Sequence, residues 1–306
     1  MRVAIIGAGA LGGVFGFSLA GVAEVVLVDP WRAHVAALNA AGLSCERDGV
    51  ASVRRVRAVS DPAEAGSAEV ALVLVKAQQT PWAAAACQLI LAPNGVAYTL
   101  QNGIGNRELL AAVVGAERVG QGVTALGGTL LGPGCVRHAG MGPTSLGAAP
   151  DPQRAAALAA LLTASGLPAS VSDQVEALVW GKLVVNVGLN ALTALLRVPN
   201  GALAATPEAR ALVERAVGEA VAVAVARGVT LPYADPVAHV LAVARATGAN
   251  RSSMLQDILR GAATESATIN GALVREGARL GVPTPLNTAL AALVAALEAT
   301  AGQRVG

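Results

Sequence analysis

The chain has 306 residues, long enough for two domains, and 22 Lys+Arg against 20 Asp+Glu leave a formal net charge of only +2. Its basic residues are scattered, so no stripe suggests nucleic acid. Cys45, Cys87 and Cys135 lie too far apart for a disulfide framework or a zinc site, and His34, His138 and His239 are isolated. No metal is therefore expected, and a reducing cytoplasm is the expected home.

Hydrophobic residues reach 54% while aromatics are 2%, an alanine-rich balance that suits closely packed helices. Residues 3–23 carry no charge, but glycines at 7, 9, 12, 13, 16 and 21 break the run, so it reads as core rather than as a leader or membrane span. A strand is expected at 3–6, then Gly7-Ala8-Gly9-Ala10-Leu11-Gly12 opening a helix to about Ala20, then a strand at 24–29 ending in Asp29. Strand, G-x-G-x-x-G, helix, strand and acidic residue form the dinucleotide-binding unit. Gly7 permits the tight turn, Gly9 lets the backbone approach a pyrophosphate, and Gly12 lets helix pack on strand. Asp29 stands where a carboxylate accepts hydrogen bonds from the adenosine ribose, which argues for NAD. Arg32, three residues on, could instead hold the 2′-phosphate of NADP.

A helix at 31–41, a strand pair near 43–58 and an apolar strand at 70–75 follow. That strand runs into Lys76, which puts a charge at the carboxyl end of a strand, where open α/β sheets bind ligands. A helix at 80–91 and a strand at 95–100 lead to Asn102, which occupies the same kind of place. Strands and turns are expected over 119–147, a helix at 152–165 and a short strand at 168–172. Beyond Asp173 the pattern is almost all helical, and this shift sets the expected boundary between domains 1–173 and 174–306. The fold class is therefore α/β: an N-terminal Rossmann-type doubly wound sheet followed by an all-helical C-terminal domain.

The second half opens on a buried helical pattern, 180–196, that carries Lys182, Asn186 and Asn190. The spacing i, i+4, i+8 offsets successive members by only about 40° around a helix, so they form one narrow polar stripe on an apolar rod. Desolvation lowers a lysine's pKa and makes it a proton donor near neutral pH. A snorkelling lysine with two structural asparagines is the alternative, and the shared face of all three weighs against it. Pro199-Asn200-Gly201 reads as a turn, 207–227 and 236–247 as helices, and Asn250-Arg-Ser-Ser253 as a capped helix start. A helix is expected through Glu265 and Asn270, and a last one from about 285 to 299.

These motifs together resemble the ketopantoate reductase (2-dehydropantoate 2-reductase) family over essentially the whole chain. The carriers are the glycine turn, Val-Lys76-Ala, Gln-Asn102-Gly, Trp-x-Lys182-x-x-x-Asn186-x-x-x-Asn190-x-Leu-Thr, Pro-Asn200-Gly, Ser252-Ser253-Met-Leu-Gln-Asp257, and Thr-Glu265 leading to Ile-Asn270-Gly. The resemblance implies reduction of the 2-keto group of ketopantoate to D-pantoate, on the route to pantothenate and coenzyme A, typically with NADPH. It implies Lys182 as general acid, Asn102, Asn186, Asn190, Asn200 and Ser253 as substrate ligands, and Lys76 and Glu265 at the cofactor–substrate junction. Asp29 departs from the family's usual residues beside the second strand, which leave room for a 2′-phosphate. It turns the expectation toward NADH.

The chemistry fits those residue types. As the keto carbon is reduced, its oxygen becomes a developing alkoxide that needs a positive donor, which Lys182 supplies as charge and proton. Glu265 would hold the ammonium, and asparagines offer donors and an acceptor to a hydroxylated keto acid. A same-fold reductase of another 2-keto acid is the nearest rival. A dinucleotide-binding regulator would keep the glycine turn but need neither Lys182 nor Glu265. The expected partners are a small-molecule substrate and a second copy of the chain in a homodimer, with no nucleic acid and no membrane.

Overall fold

A computed structural model describes residues 1–303. The chain divides into two compact units, one formed by Met1–Gln101 with Asn106–Val175, the other by Asn102–Gly105 with the chain from Glu176 onward.

The first unit contains β1 (Arg2–Ile6), α1 (Ala10–Leu19), β2 (Glu24–Val28), α2 (Arg32–Ala41), β3 (Leu43–Arg47), β4 (Val50–Arg54), β5 (Arg57–Val59) and β6 (Ala68–Val73). It continues through α3 (Thr80–Ile90), β7 (Leu91–Thr99), α4 (Asn106–Val114), β8 (Val119–Thr124), β9 (Gly127–Gly132), β10 (Cys135–Gly140), β11 (Thr144–Gly147), α5 (Pro152–Ala164) and β12 (Ala169–Ser172). Eight strands form one sheet in the order β12-β11-β8-β7-β6-β1-β2-β5, parallel from β5 through β8, with β11 antiparallel to β8. Side chains alternate across the pleat. Val3 and Ile5 face a core shared with Phe15 of α1, Leu38 of α2 and Leu158 of α5, while Ala4 and Ile6 face Ala83 and Cys87 of α3 and Leu110 of α4. Helices thus cover both faces, and the sheet is doubly wound as the apolar runs in its strands require. The chain steps from β1 outward to β2 and then back to β6 on β1's other side, so the strand order reverses between β1 and β6. Such a reversal opens a crevice at the carboxyl ends of the strands. The other four strands form a small sheet, β4-β3-β10-β9, against α1. There Val136 of β10 lies so close to Gly13 that a Cβ on that glycine would come within 2.5 Å.

The second unit is helical: α6 (Val175–Leu196), α7 (Asn200–Ala205), α8 (Pro207–Ala226), α9 (Pro236–Ala246), α10 (Ser253–Arg260), α11 (Asn270–Leu280) and α12 (Pro285–Ala299). Among the described residues, α6 alone is long and apolar enough to cross a membrane, yet 72% of its most apolar stretch is buried inside the protein. It is the central rod of this unit, and Gly188 lets Val217 of α8 and Val240 of α9 approach where a Cβ would sit 2.8 and 2.9 Å from them.

Three expectations change. Asn200 begins the short helix α7 rather than sitting in a turn, because tertiary contacts hold its backbone: Asn200 N–H donates to the Asn250 carbonyl at 3.0 Å and Gly201 N–H to the Gly248 carbonyl at 3.1 Å. Glu265 is not inside a helix: it caps the 3₁₀ turn Ser266–Thr268, and α11 starts only at Asn270. Residues 106–114, left without an element by the sequence pattern, form α4, whose buried face is only Asn106, Leu110 and Val114.

Candidate active site

In the first unit the site is made of backbone. Gly7 has φ +95° and packs so closely on Val75 that a Cβ would meet its backbone nitrogen at 2.7 Å. A side chain on Gly12 would collide with the Gly7 carbonyl. A Cβ on Gly9 would meet nothing within 4 Å, and Gly9 caps α1 without any side-chain hydrogen bond to the first-turn N–H groups. An uncapped helix N-terminus with open space before it is the cradle a pyrophosphate needs, so the residues present fit a dinucleotide. Ala8, Ala10 and Leu11 complete this turn and the first turn of α1.

Asp29 follows β2 and its carboxylate is used twice. One oxygen accepts the Ala8 N–H at 2.8 Å and the other the Trp31 N–H at 2.9 Å. The sequence-predicted acidic residue and the glycine turn are therefore in direct contact. Arg32 stands exposed at the first position of α2. Lys76 lies half-buried just after β6, as cap of a 3₁₀ turn. Gln101 secures that edge by donating to the Val75 carbonyl at 3.1 Å and to Thr80 Oγ1 at 2.9 Å. His34 was read only as an isolated histidine, yet it is wholly buried, with one ring nitrogen 3.0 Å from the Ala8 carbonyl. Its one sequence signal is its place on the helix that follows Asp29.

In the second unit the site is made of side chains. Lys182, Asn186 and Asn190 share the predicted face of α6, the first two half-buried and Asn190 only 5% exposed. Burial pushes the Lys182 ammonium down to about 8, against the opposing pull of the Glu265 carboxylate. Glu265 is itself buried and accepts a hydrogen bond from Asn102 Nδ2 at 3.0 Å. Lysine, carboxylate and amide, scattered over the sequence, thus come together here. Asn102 is held by its neighbours, since Ile104 N–H donates to the Thr268 carbonyl at 3.3 Å and only a glycine fits at 103 beside that same carbonyl.

Asn200 has an amide whose orientation the network settles. Thr247 Oγ1 donates to the Val243 carbonyl at 2.8 Å, so it receives Asn200 Nδ2–H at 2.9 Å. That leaves Asn200 Oδ1, and likewise Asn190 Nδ2, buried without a partner among the described residues. Unpaired buried polar atoms are rare in folded proteins, and a bound ligand or water is one of the partners that satisfies them. Ser253 is exposed at the first position of α10, whereas the buried cap is Ser252, whose Oγ accepts Leu255 N–H at 3.1 Å and lies 2.7 Å from Thr193 Oγ1. The chain therefore combines a dinucleotide-binding sheet with a helical unit carrying a low-pKa lysine beside a carboxylate, the equipment of a nicotinamide-dependent oxidoreductase.

Comparison with known proteins gives the family. Residues 3–151 match the model described as ketopantoate reductase PanE/ApbA, and residues 174–298 match its C-terminal companion. The 2-dehydropantoate 2-reductase of Halobacterium salinarum is 38% identical over 96% of this chain and 98% of its own, and that of Archaeoglobus fulgidus 35% over 97% and 98%. Among solved structures, a PanE/ApbA family ketopantoate reductase from Ralstonia eutropha superposes with a TM-score of 0.91 at 36% identity, covering 99% of this chain and 100% of that one. D-mandelate dehydrogenase, solved with NADH and anilino(oxo)acetate, gives 0.91 at 30% over the same shares. The chain belongs to the ketopantoate reductase family, a family of NAD(P)H-dependent reductases.

Proposed function

We propose that this protein reduces 2-dehydropantoate to D-pantoate, with Lys182 as the proton donor. The observation that carries the reading is the Lys182–Glu265–Asn102 cluster, in which burial brings an ammonium to about 8 beside a carboxylate fixed by an amide. A donor with that pKa is mostly charged at neutral pH yet gives up its proton readily as an alkoxide develops. Asn190 Nδ2 and Asn200 Oδ1 supply a donor and an acceptor for the substrate's polar groups, and Asn186 shares the α6 face of Asn190. Ser253 stands at the start of α10, where first-turn N–H groups favour a carboxylate. Residues 1–173 serve as the cofactor domain and 174–306 as the substrate domain.

Bound NAD(P)H supplies the reducing equivalent, and the glycine turn 7–12 holds its pyrophosphate. We assign NADH as the preferred form. A 2′-phosphate about 4 Å from Asp29 would meet roughly 4 kcal/mol of repulsion at an effective dielectric near 20, before screening. Arg32, exposed at the start of α2, offsets part of that. D-mandelate dehydrogenase, similar over the whole chain and solved with NADH, favours the same cofactor and brings a second substrate reading, an aromatic 2-keto acid. The same reading includes a homodimer in the cytoplasm, where the thiols of Cys45, Cys87 and Cys135 stay free.

The experiment is kcat/KM for ketopantoate and for the 2-keto acid of mandelate, with NADH and NADPH, in wild type, Asp29→Asn and Arg32→Ala. Ketopantoate with NADH should be the best pair, Asp29→Asn should move preference toward NADPH, and Arg32→Ala away from it. A wild type that uses NADPH a hundredfold better, with no response at Asp29, would overturn the cofactor assignment. Turnover of the aromatic acid alone would overturn the substrate.

A further inference from the structure

The glycine turn is hydrogen-bonded to a residue with no assigned part in this reaction. His34 lies on α2, completely buried, beneath the indole of Trp31, which stacks on it with ring centroids 5.1 Å apart and planes 7° from parallel. Both ring nitrogens are engaged. Gly134 N–H donates to Nδ1 at 3.0 Å, so Nδ1 carries no proton. The proton then sits on Nε2, which donates to the Ala8 carbonyl at 3.0 Å. The network leaves a single consistent tautomer, the neutral Nε2–H form.

Gly134 cannot easily move to relax this. It sits between β9 and β10 at φ +74°, its carbonyl accepts Ser44 N–H at 2.8 Å, and it packs on Ala37 of α2. His34 is thus braced on one side and pulls the Ala8 carbonyl inward on the other. A trans peptide is planar, with C=O and N–H pointing in opposite directions. Drawing the Ala8 oxygen toward the core therefore turns the Gly9 N–H the opposite way, on a residue where an added Cβ would meet nothing within 4 Å. Asp29 holds the N–H of the same residue, so Ala8 is gripped at both ends.

We propose that His34 is a positioning residue for the dinucleotide, whose neutral Nε2–H imidazole sets the Ala8–Gly9 peptide so that its N–H faces the pyrophosphate. The proposal rests on a dinucleotide occupying the glycine turn. Two substitutions separate the two hydrogen bonds. His34→Gln places an amide N–H near the Nε2 position and restores the donor to Ala8, whereas His34→Asn places an acceptor near Nδ1 and restores only the bond from Gly134.

The test is the dissociation constant of ADP-ribose and of NADH, by calorimetry or NADH fluorescence, with melting temperature and steady-state kinetics alongside. His34→Asn should weaken both ligands about tenfold or more, the scale of one misdirected hydrogen bond to a charged group. His34→Gln should stay within about threefold, and both should keep kcat and the keto-acid KM at saturating NADH. Equal weakening in the two variants, tracking their loss of melting temperature, would mean that the histidine is only structural. Affinity unchanged in both would overturn the proposal as well. A wild type that binds neither ligand would remove the dinucleotide reading itself, a distinguishable failure. Should neither variant fold, ¹⁵N NMR of the wild-type imidazole decides: an unprotonated, hydrogen-bonded Nδ1 is expected, and a proton on Nδ1 in the absence of ligand would sink the idea.

Discussion

In the proposed reading the two units meet the same task, holding a polar ligand, in opposite ways. Around the glycine turn the polar side chains are spent on the protein itself: Asp29 grips two backbone N–H groups, and His34 a carbonyl and an N–H. What is left there for a pyrophosphate is main chain. On α6 and its neighbours the reverse holds, because the backbone is consumed by helices and side-chain atoms such as Asn190 Nδ2 and Asn200 Oδ1 are left over. A dinucleotide phosphate is recognised by a shape of N–H groups that any residue carries. A keto acid must be recognised by side chains, because their chemistry is what selects it.

That contrast can be broken at three points. The largest effect belongs to Lys182. Lys182→Ala should lower kcat by about 10²-fold or more, the usual scale for a lost general acid, with cofactor affinity nearly unchanged. Because the donor must be protonated, kcat/KM in wild type should fall as pH rises through about 8. Glu265 is the influence that raises this pKa, so Glu265→Gln should move the fall to lower pH. A profile flat from pH 6 to 10 would show that the proton comes from elsewhere.

Next in size are the leftover amides. Asn190→Ala should raise the keto-acid KM roughly tenfold or more while the melting temperature holds or rises, since an unpaired buried donor costs about 1–3 kcal/mol in the free enzyme. Unchanged KM with a lower melting temperature would return Asn190 to a purely structural role. The smallest effect is expected at Asp29, and it should be of the opposite kind. Asp29→Asn keeps one carbonyl oxygen for two backbone donors, so it should lose about 1 kcal/mol of stability in the apo protein. An apo melting curve that superposes on wild type would show that the two hydrogen bonds contribute nothing.

The same division explains what could be read from the chain alone. The sheet, the glycine turn and the polar stripe were legible, because each rests on a local rule: an apolar run, a backbone conformation only glycine reaches, a period of four. Gln101 and His34 were not, because their roles are hydrogen bonds to Val75, 26 residues away, and to Gly134, 100 residues away. Glu265 was misplaced into a helix since nothing in Thr-Glu-Ser-Ala-Thr distinguishes a 3₁₀ turn from the start of α11. Asn200 was misread for the opposite reason, as Pro-Asn-Gly carries strong turn chemistry that tertiary packing overrode.

Residues 102–105 belong to the helical unit although the chain on either side of them does not. On a ribosome this short segment emerges long before its partners, for Asn102 waits 163 residues for Glu265. At about 5–20 residues per second that is an interval of roughly ten to thirty seconds, during which the sheet can form around an unfinished loop. The carboxylate that tunes the lysine gains its amide partner only near the end of synthesis. A chain that stops before Glu265 therefore lacks the carboxylate that accepts Asn102 Nδ2 and raises the Lys182 pKa, although every strand of its sheet has already been made.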